Sequence, residues 1–318
     1  MAIERDHPQT NGDTPQLALT SDSEPVLAEL VVHERPPRVW PVLVVGTLFL
    51  PIISVAAGLA IAVLGLFELG PEQIAELGPS DFANWMSERV ATTSGFVITV
   101  VAGQLAALLM IVAAAALSSQ PFAVRLGFVH GRLPVLTWPV LASATPFVGW
   151  VAGALSNWLG LESHTQEQVE TMVSGASGSM KWMVIIAVAL LPGMMEEMLF
   201  RGYVQRRLLR RFGPFVALPV STFFFAAMHL EPAHMFATVL LGFWLGLVAW
   251  QASSLWPAIL CHVMNNFVSI AGVWVFGQSD DVDLNSPPEY VAFIALFGLA
   301  FLASMVLLIR YRQRPADF

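Results

Sequence analysis

Glu196 and Glu197 stand side by side in the stretch LPGMMEEMLFRGYVQ, which follows a long greasy run, and Arg201 comes four residues after Glu197. Ionisable groups at membrane depth are rare and mark sites or pathways. At about 100° per helical residue, Glu197 and Arg201 share a face. Their order is the favoured one for an ion pair. Glu197 is therefore expected to neutralise Arg201 and fix the local helix. Glu196 is turned away from that face and is left for chemistry. The plainer alternative has both carboxylates binding Arg201 and loop backbone. It leaves Glu196 buried without a clear partner, which is costly.

Two more polar clusters interrupt apolar runs. Phe225 and His229, in FFFAAMHLEPAH, are four residues apart and share a helical face, as do His262 and Asn266 in LCHVMNNF. Asn265 is offset by three from His262 and is the weaker partner. Together these residues offer a base, hydrogen-bond donors and amide dipoles. That is an inventory for activating water and stabilising an oxyanion. Cys261 neighbours His262, but adjacent helical residues point about 100° apart, so a small buried apolar role suits it better than a nucleophilic one.

These residues must be positioned by helices. The chain has 318 residues, 56% of them hydrophobic and only 12% charged, with a mean hydropathy of +0.67. Its charged fraction is about half that of a soluble domain. Several runs approach the ~20 apolar residues needed to cross a bilayer as helix. The expected fold is all-α, a polytopic membrane bundle of about eight transmembrane helices. The spans are drawn at 39–67, 95–118, 134–160, 182–202, 215–230, 233–251, 255–276 and 289–309. A single cysteine excludes an internal disulfide and a multi-cysteine metal cluster. The net charge of −8 comes from tails and loops, and no basic stripe suggests nucleic acid.

Loop charge orients the bundle. Acidic loops (Glu68 to Glu88; Glu162, Glu167 and Glu170; Asp280, Asp281 and Asp283) alternate with basic ones (Arg125 and Arg132; Arg206, Arg207, Arg210 and Arg211; Arg310, Arg312 and Arg314). Positive loops stay in the cytoplasm, so both termini are expected there. Residues 1–36 read as a disordered polar cytoplasmic tail without the start of a signal peptide. Residues 37–119 read as an N-terminal transmembrane helix pair and 120–276 as the membrane core that carries the three clusters. Residues 277–318 hold a loop, a last transmembrane helix and a basic tail. The Arg206–Arg211 cluster reads first as a topology signal, with anionic lipid headgroups as a second use.

Geometry also pairs the clusters. Phe212-Gly213-Pro214 is a turn, and Glu196 lies about as far before it as His229 lies after it. In an antiparallel hairpin both lie about 25 Å from the turn, at ~1.5 Å per residue. Pro192 and Gly193 precede the glutamates. Proline removes a backbone donor, which frees carbonyls and makes room for water or simply serves packing. Gly242 and Gly246 form a small-xxx-small pair that lets helices approach. No chemistry is expected of them.

The ordered set EExxxR (Glu196, Glu197, Arg201), FxxxH (Phe225, His229) and HxxxN (His262, Asn266), with SSLWPAILCH before the third, resembles the CPBP family of intramembrane proteases. That family includes type II CAAX prenyl endopeptidases and Abi-type proteins. The resemblance covers roughly 120–275. It implies an intramembrane endopeptidase that hydrolyses a peptide bond of a membrane protein or lipidated peptide. It further implies that Glu196 and His229 activate a water. His262 and Asn266 would stabilise the oxyanion, and Glu197, Arg201 and Phe225 would support the site. No cofactor is expected. Zinc is the alternative, since the family has been labelled metalloprotease, although HExxH is missing. His234 lies outside the motifs; it either lines the site or faces a loop, and the loop is the preferred reading. A transporter and a non-catalytic immunity or scaffold protein are the competing readings. Against the transporter stands the lack of an internal repeat. The alternating loop charges suit a bacterial inner membrane, with the lipid bilayer as the other partner.

Overall fold

A computed structural model describes residues 38–117, 120–161, 163–276 and 288–312. The tail at 1–36, the acidic residues Glu162 and Asp280 to Asp283, and Arg314 lie outside the described residues.

The described residues fold as helices, with no strand among them. Helices α1 (Trp40–Glu68) and α4 (Thr93–Ala116) pack against each other along their length. Two short polar helices, α2 (Gly70–Glu76) and α3 (Pro79–Val90), connect them. Next come α5 (Phe122–Leu126), α6 (Trp138–Trp158) and α7 (His164–Ser174). Then one long helix, α8 (Met180–Phe212), is followed by α9 (Pro214–Ala227), α10 (Pro232–Ala252), α11 (Trp256–Phe276) and α12 (Pro288–Arg310). Among the described residues, seven helices are long and apolar enough to cross a membrane: α1, α4, α6, α8, α10, α11 and, from Val291, α12.

The expected span at 215–230 is the exception. Its helix α9 has 14 residues, about 21 Å at ~1.5 Å per residue, short of the ~30 Å hydrocarbon core. The loops differ from expectation too. Residues 70–76, 79–90 and 164–174 are helical, because a search for apolar runs passes over polar helices.

The most apolar stretch of α8 is 56% buried, against 11% for α12. A transmembrane helix buried to that degree is surrounded by protein, and α8 is therefore the centre of the bundle. It packs against α4, α9, α10 and α11, while α6 lies across α10, α11 and α12. The outer faces of α1 and α12 expose Leu48, Val55, Leu59, Leu296, Leu299 and Leu302, as helices facing hydrocarbon do.

Local chemistry shapes α8. It is α-helical at both ends and around the glutamates. Two π-helical stretches, Ile185–Leu190 and Met198–Gln205, flank Leu191–Glu197. A π turn widens the helix and often marks a functional site. Here the first one ends just before Pro192, whose missing N–H a regular helix would leave as a defect. Gly213, at φ +74°, ends α8 and turns the chain into α9.

Candidate active site

Glu196, Glu197 and Arg201 come from α8, Phe225 and His229 from the end of α9, and His262, Asn265 and Asn266 from α11. Glu197 is fully buried and Glu196, Arg201 and His262 nearly so. The side chains of Glu197 and Arg201 meet as expected. Arg201 Nη1 donates to Glu197 Oε1 at 2.7 Å, and Nη2 donates to the Gly242 carbonyl at 2.8 Å. The guanidinium also sits over the Phe225 ring at 4.3 Å. A charge removed from water needs compensation of this kind.

The same Glu197 oxygen also accepts from His262. The ring Nδ1 lies 2.9 Å from Oε1. An ionised carboxylate can only accept, so Nδ1 carries the proton and Nε2 faces the other way. There it meets Glu196, 3.9 Å from Oε2. The two glutamates thus flank opposite nitrogens of one imidazole, Glu197 hydrogen-bonded and Glu196 beside it. His229 is fixed by its own helix: Nδ1 donates to the Phe225 carbonyl at 3.1 Å, which leaves Nε2 as an acceptor. Phe225 joins the two histidines, with ring centroids 5.3 Å from His229 and 5.8 Å from His262.

Asn266 donates its amide to the Val188 carbonyl at 3.2 Å, and its Oδ1 accepts from Asn265 at 3.2 Å. In a regular helix the Val188 carbonyl would pair with the N–H of residue 192, which proline lacks. The proline before the glutamates therefore gives Asn266 something to hold. Gly193 matters for the same contact. A Cβ there would lie 2.6 Å from Val263 Cγ2, so its absence lets α11 come close enough for Glu197 to reach His262. Gly149 does this on the other flank, where a Cβ would lie 2.4 Å from Asn265 Oδ1.

Two expectations need correction. His234 lies in the first turn of α10, with its ring 4.4 Å from that of His229 and its Nδ1 buried without a partner. Gly242 and Gly246 do more than permit packing. Their carbonyls accept from Arg201 and from Gln205 (Nε2, 2.8 Å), and a Cβ at Gly242 would lie 2.7 Å from Phe225 Cδ1. Gln205 was missed altogether, although it lies four residues after Arg201, as Gly246 lies four after Gly242.

Outside the apolar spans, Glu231 closes the turn between α9 and α10. It accepts from Ser163 Oγ at 2.8 Å and from the backbone N–H groups of His164 and Thr165 at 2.7 and 3.1 Å. The Ser163 hydroxyl, then the Thr165 and His164 groups, hold its carboxyl down at about 2. This pins the end of α9 to the start of α7.

Among the described residues, no group of three or more His, Cys, Asp or Glu is gathered in metal-holding geometry. His262 has one nitrogen on Glu197, His229 has one on backbone, and Glu196 is near only one of the two rings. Each imidazole keeps its other nitrogen, as a metal-ligating histidine would, but as placed Glu196, His229 and His262 are not gathered around one point.

Residues 178–268 match the family described as type II CAAX prenyl endopeptidase Rce1-like. The matched segment begins just before α8, ends within α11 and contains all three motifs. Comparison with curated proteins and with solved structures found no significant match. The seven apolar helices and the family match support a multi-pass integral membrane protein whose segment from α8 to α11 is similar to the Rce1-like family.

Proposed function

We propose that this chain is an intramembrane endopeptidase of the CAAX prenyl protease type, with the lipid bilayer as its medium and a membrane-associated protein or lipidated peptide as its substrate. The observation that carries the reading is the placement of Glu196 beside His262 Nε2 while Glu197 and Arg201 hold the opposite nitrogen. The alternating loop charges favour a bacterial inner membrane.

Glu196 takes a proton from water as the water oxygen bonds to the scissile carbonyl carbon. His229 Nε2, the acceptor left by its backbone bond, holds and orients that water. The carbonyl oxygen becomes an oxyanion. The second amide N–H of Asn266 can donate to it, as can Nε2–H of His262 when the ring carries two protons. Glu196 then returns its proton to the leaving nitrogen as the C–N bond breaks. General acid–base help of this kind supplies roughly 10²–10⁴-fold, and one oxyanion donor about 10²–10³-fold.

The test is a cleavage assay in detergent with a library of membrane-anchored peptides, with and without a prenylated C-terminal cysteine. Cleavage that disappears in Glu196→Gln supports the reading. A folded protein that cleaves no member of the library would sink it. Cleavage of unprenylated peptides alone would remove the prenyl protease assignment and keep the endopeptidase.

A further inference from the structure

Asn265 and Asn266 are neighbours on α11, yet they stand in different surroundings: Asn265 is buried and Asn266 half-buried. The Asn266 amide nitrogen lies 3.2 Å from the Val188 carbonyl, and its Oδ1 lies 3.2 Å from the Asn265 amide nitrogen. These two contacts fix the orientation of both amides. A backbone carbonyl can only accept, so the end of Asn266 that faces Val188 is the NH2. The end that faces Asn265 is then the oxygen, and Asn265 must present its own NH2 to it. A primary amide has two N–H groups. With one on Val188 and the oxygen on Asn265, one N–H of Asn266 is left over. We propose that Asn265 is a positioning residue for peptide hydrolysis: by engaging Oδ1 it holds the plane of the Asn266 amide, so that the remaining N–H keeps one direction for the oxyanion. The inference rests on the reading of Asn266 as an oxyanion donor.

The orientation is enforced from a third helix. Gly149 of α6 faces Asn265, and a Cβ there would lie 2.4 Å from Asn265 Oδ1. The space left by glycine takes the oxygen end of Asn265, which turns its NH2 end toward Asn266. One turn further along α11, Ser269 Oγ donates to the Asn265 carbonyl at 3.0 Å. Without Asn265, the Asn266 amide would have Val188 as its one anchor and could swing about it. Anchors at both ends of the amide fix its plane. A donor set in advance lowers the barrier because nothing has to be reordered as charge develops. A swinging donor loses that advantage while still being able to reach the oxyanion.

The test is a double-mutant cycle on the full-length protein in detergent, with kcat and KM measured on a membrane-anchored peptide that the parent cleaves. Asn265→Ala should lower kcat about tenfold, a part of the about 10²–10³-fold that one oxyanion donor supplies, and leave KM within about twofold. In an Asn266→Ala background the same change should cost less than about twofold, because Asn265 acts through Asn266. Asn265→Asp is nearly the same size but cannot donate when ionised, so it should lose at least as much as Asn265→Ala, and it keeps the test open should the alanine variant fail to fold. A second readout needs no activity. With nitrogen-15 asparagine, the side-chain NH2 signals of Asn266, assigned by their loss in Asn266→Ala, should exchange with solvent several-fold faster in Asn265→Ala. Equal losses in both backgrounds, a loss confined to KM, or unchanged amide exchange would overturn the proposal. A parent that cleaves no peptide overturns the endopeptidase reading and the role with it, whereas amide exchange reports the Asn265–Asn266 contact in either case, so the two failures are told apart.

Discussion

One oxygen of Glu197 is shared by Arg201 and His262, at 2.7 and 2.9 Å, and through it the guanidinium sets which nitrogen of the imidazole faces Glu196. Two adjacent carboxylates therefore have different work, one structural and one facing the reacting groups. Glu196→Gln is expected to lower cleavage by about 10²–10⁴-fold and leave thermal unfolding unchanged. Glu197→Gln leaves Arg201 without its anion and should destabilise the bundle by about 3–5 kcal/mol. A stable but inactive Glu197→Gln beside an active Glu196→Gln would reverse the two roles.

Zinc can be tested directly. Cleavage by purified protein is expected to proceed without added zinc and to survive strong chelators. Stoichiometric zinc by elemental analysis, together with chelator-sensitive activity that zinc restores, would require a different site arrangement.

Gly242→Ala puts a methyl group 2.7 Å from the Phe225 ring and 3.4 Å from Arg201 Nη2. Overpacking of this kind costs about 1–3 kcal/mol. Gly246→Ala meets the end of the Gln205 side chain instead, at 2.8 Å, and should lose less. Chemical or thermal unfolding in detergent ranks the two, and the opposite order contradicts the packing described.

The Glu231 contact gives a pH dependence with a definite sign. Its carboxyl is held at about 2 in the fold against an ordinary 4.5. The hold on α7 is complete above about pH 4.5 and is lost as pH falls toward 2. Hydrogen exchange in residues 163–175, corrected for intrinsic rate, should rise through that window in the parent. In Glu231→Gln it should be high and flat. A parent protein that is flat across the window would refute the assignment.

Helix α9 is short, yet Glu231 ties its end to the segment that follows α6. It is therefore expected to return the chain across the bundle as an eighth pass, which would give an even count. Reporters fused at residue 1 and after Phe318 should both be cytoplasmic, and one near Asp281 should lie on the opposite side. Termini on different sides would mean that α9 does not count as a pass.

Much of this architecture is readable from the chain, and the failures have physical causes. The drawn spans 233–251 and 255–276 correspond to Pro232–Ala252 and Trp256–Phe276 because proline starts both helices and serine ends the first. The span drawn at 182–202 belongs to a helix running to Phe212, since hydropathy stops at charge and a helix does not. The Glu197–Arg201 pair follows from i,i+4 spacing alone. The link from Glu197 to His262 crosses 65 residues of sequence and needs the close approach at Gly193, which spacing on one helix cannot reveal. His234 and Gln205 escaped for a related reason: their partners sit on other helices, at distances set by packing.

The two glycine carbonyls on α10 also act as a register code. Arg201 and Gln205 meet Gly242 and Gly246 with the same offset of 41 residues, so the two helices run parallel like matched scales. A slip by one turn, ~5.4 Å, would bring Arg201 to Gly246, and only the next position along could expose the error. That position is Trp250, and the one before Gly242 in the series is Thr238. A side chain at either place blocks the backbone approach that glycine permits. With two open notches and a closed one on each side, α8 and α10 have a single alignment that satisfies both, and the height of Glu196 within the bundle is thereby set to one value.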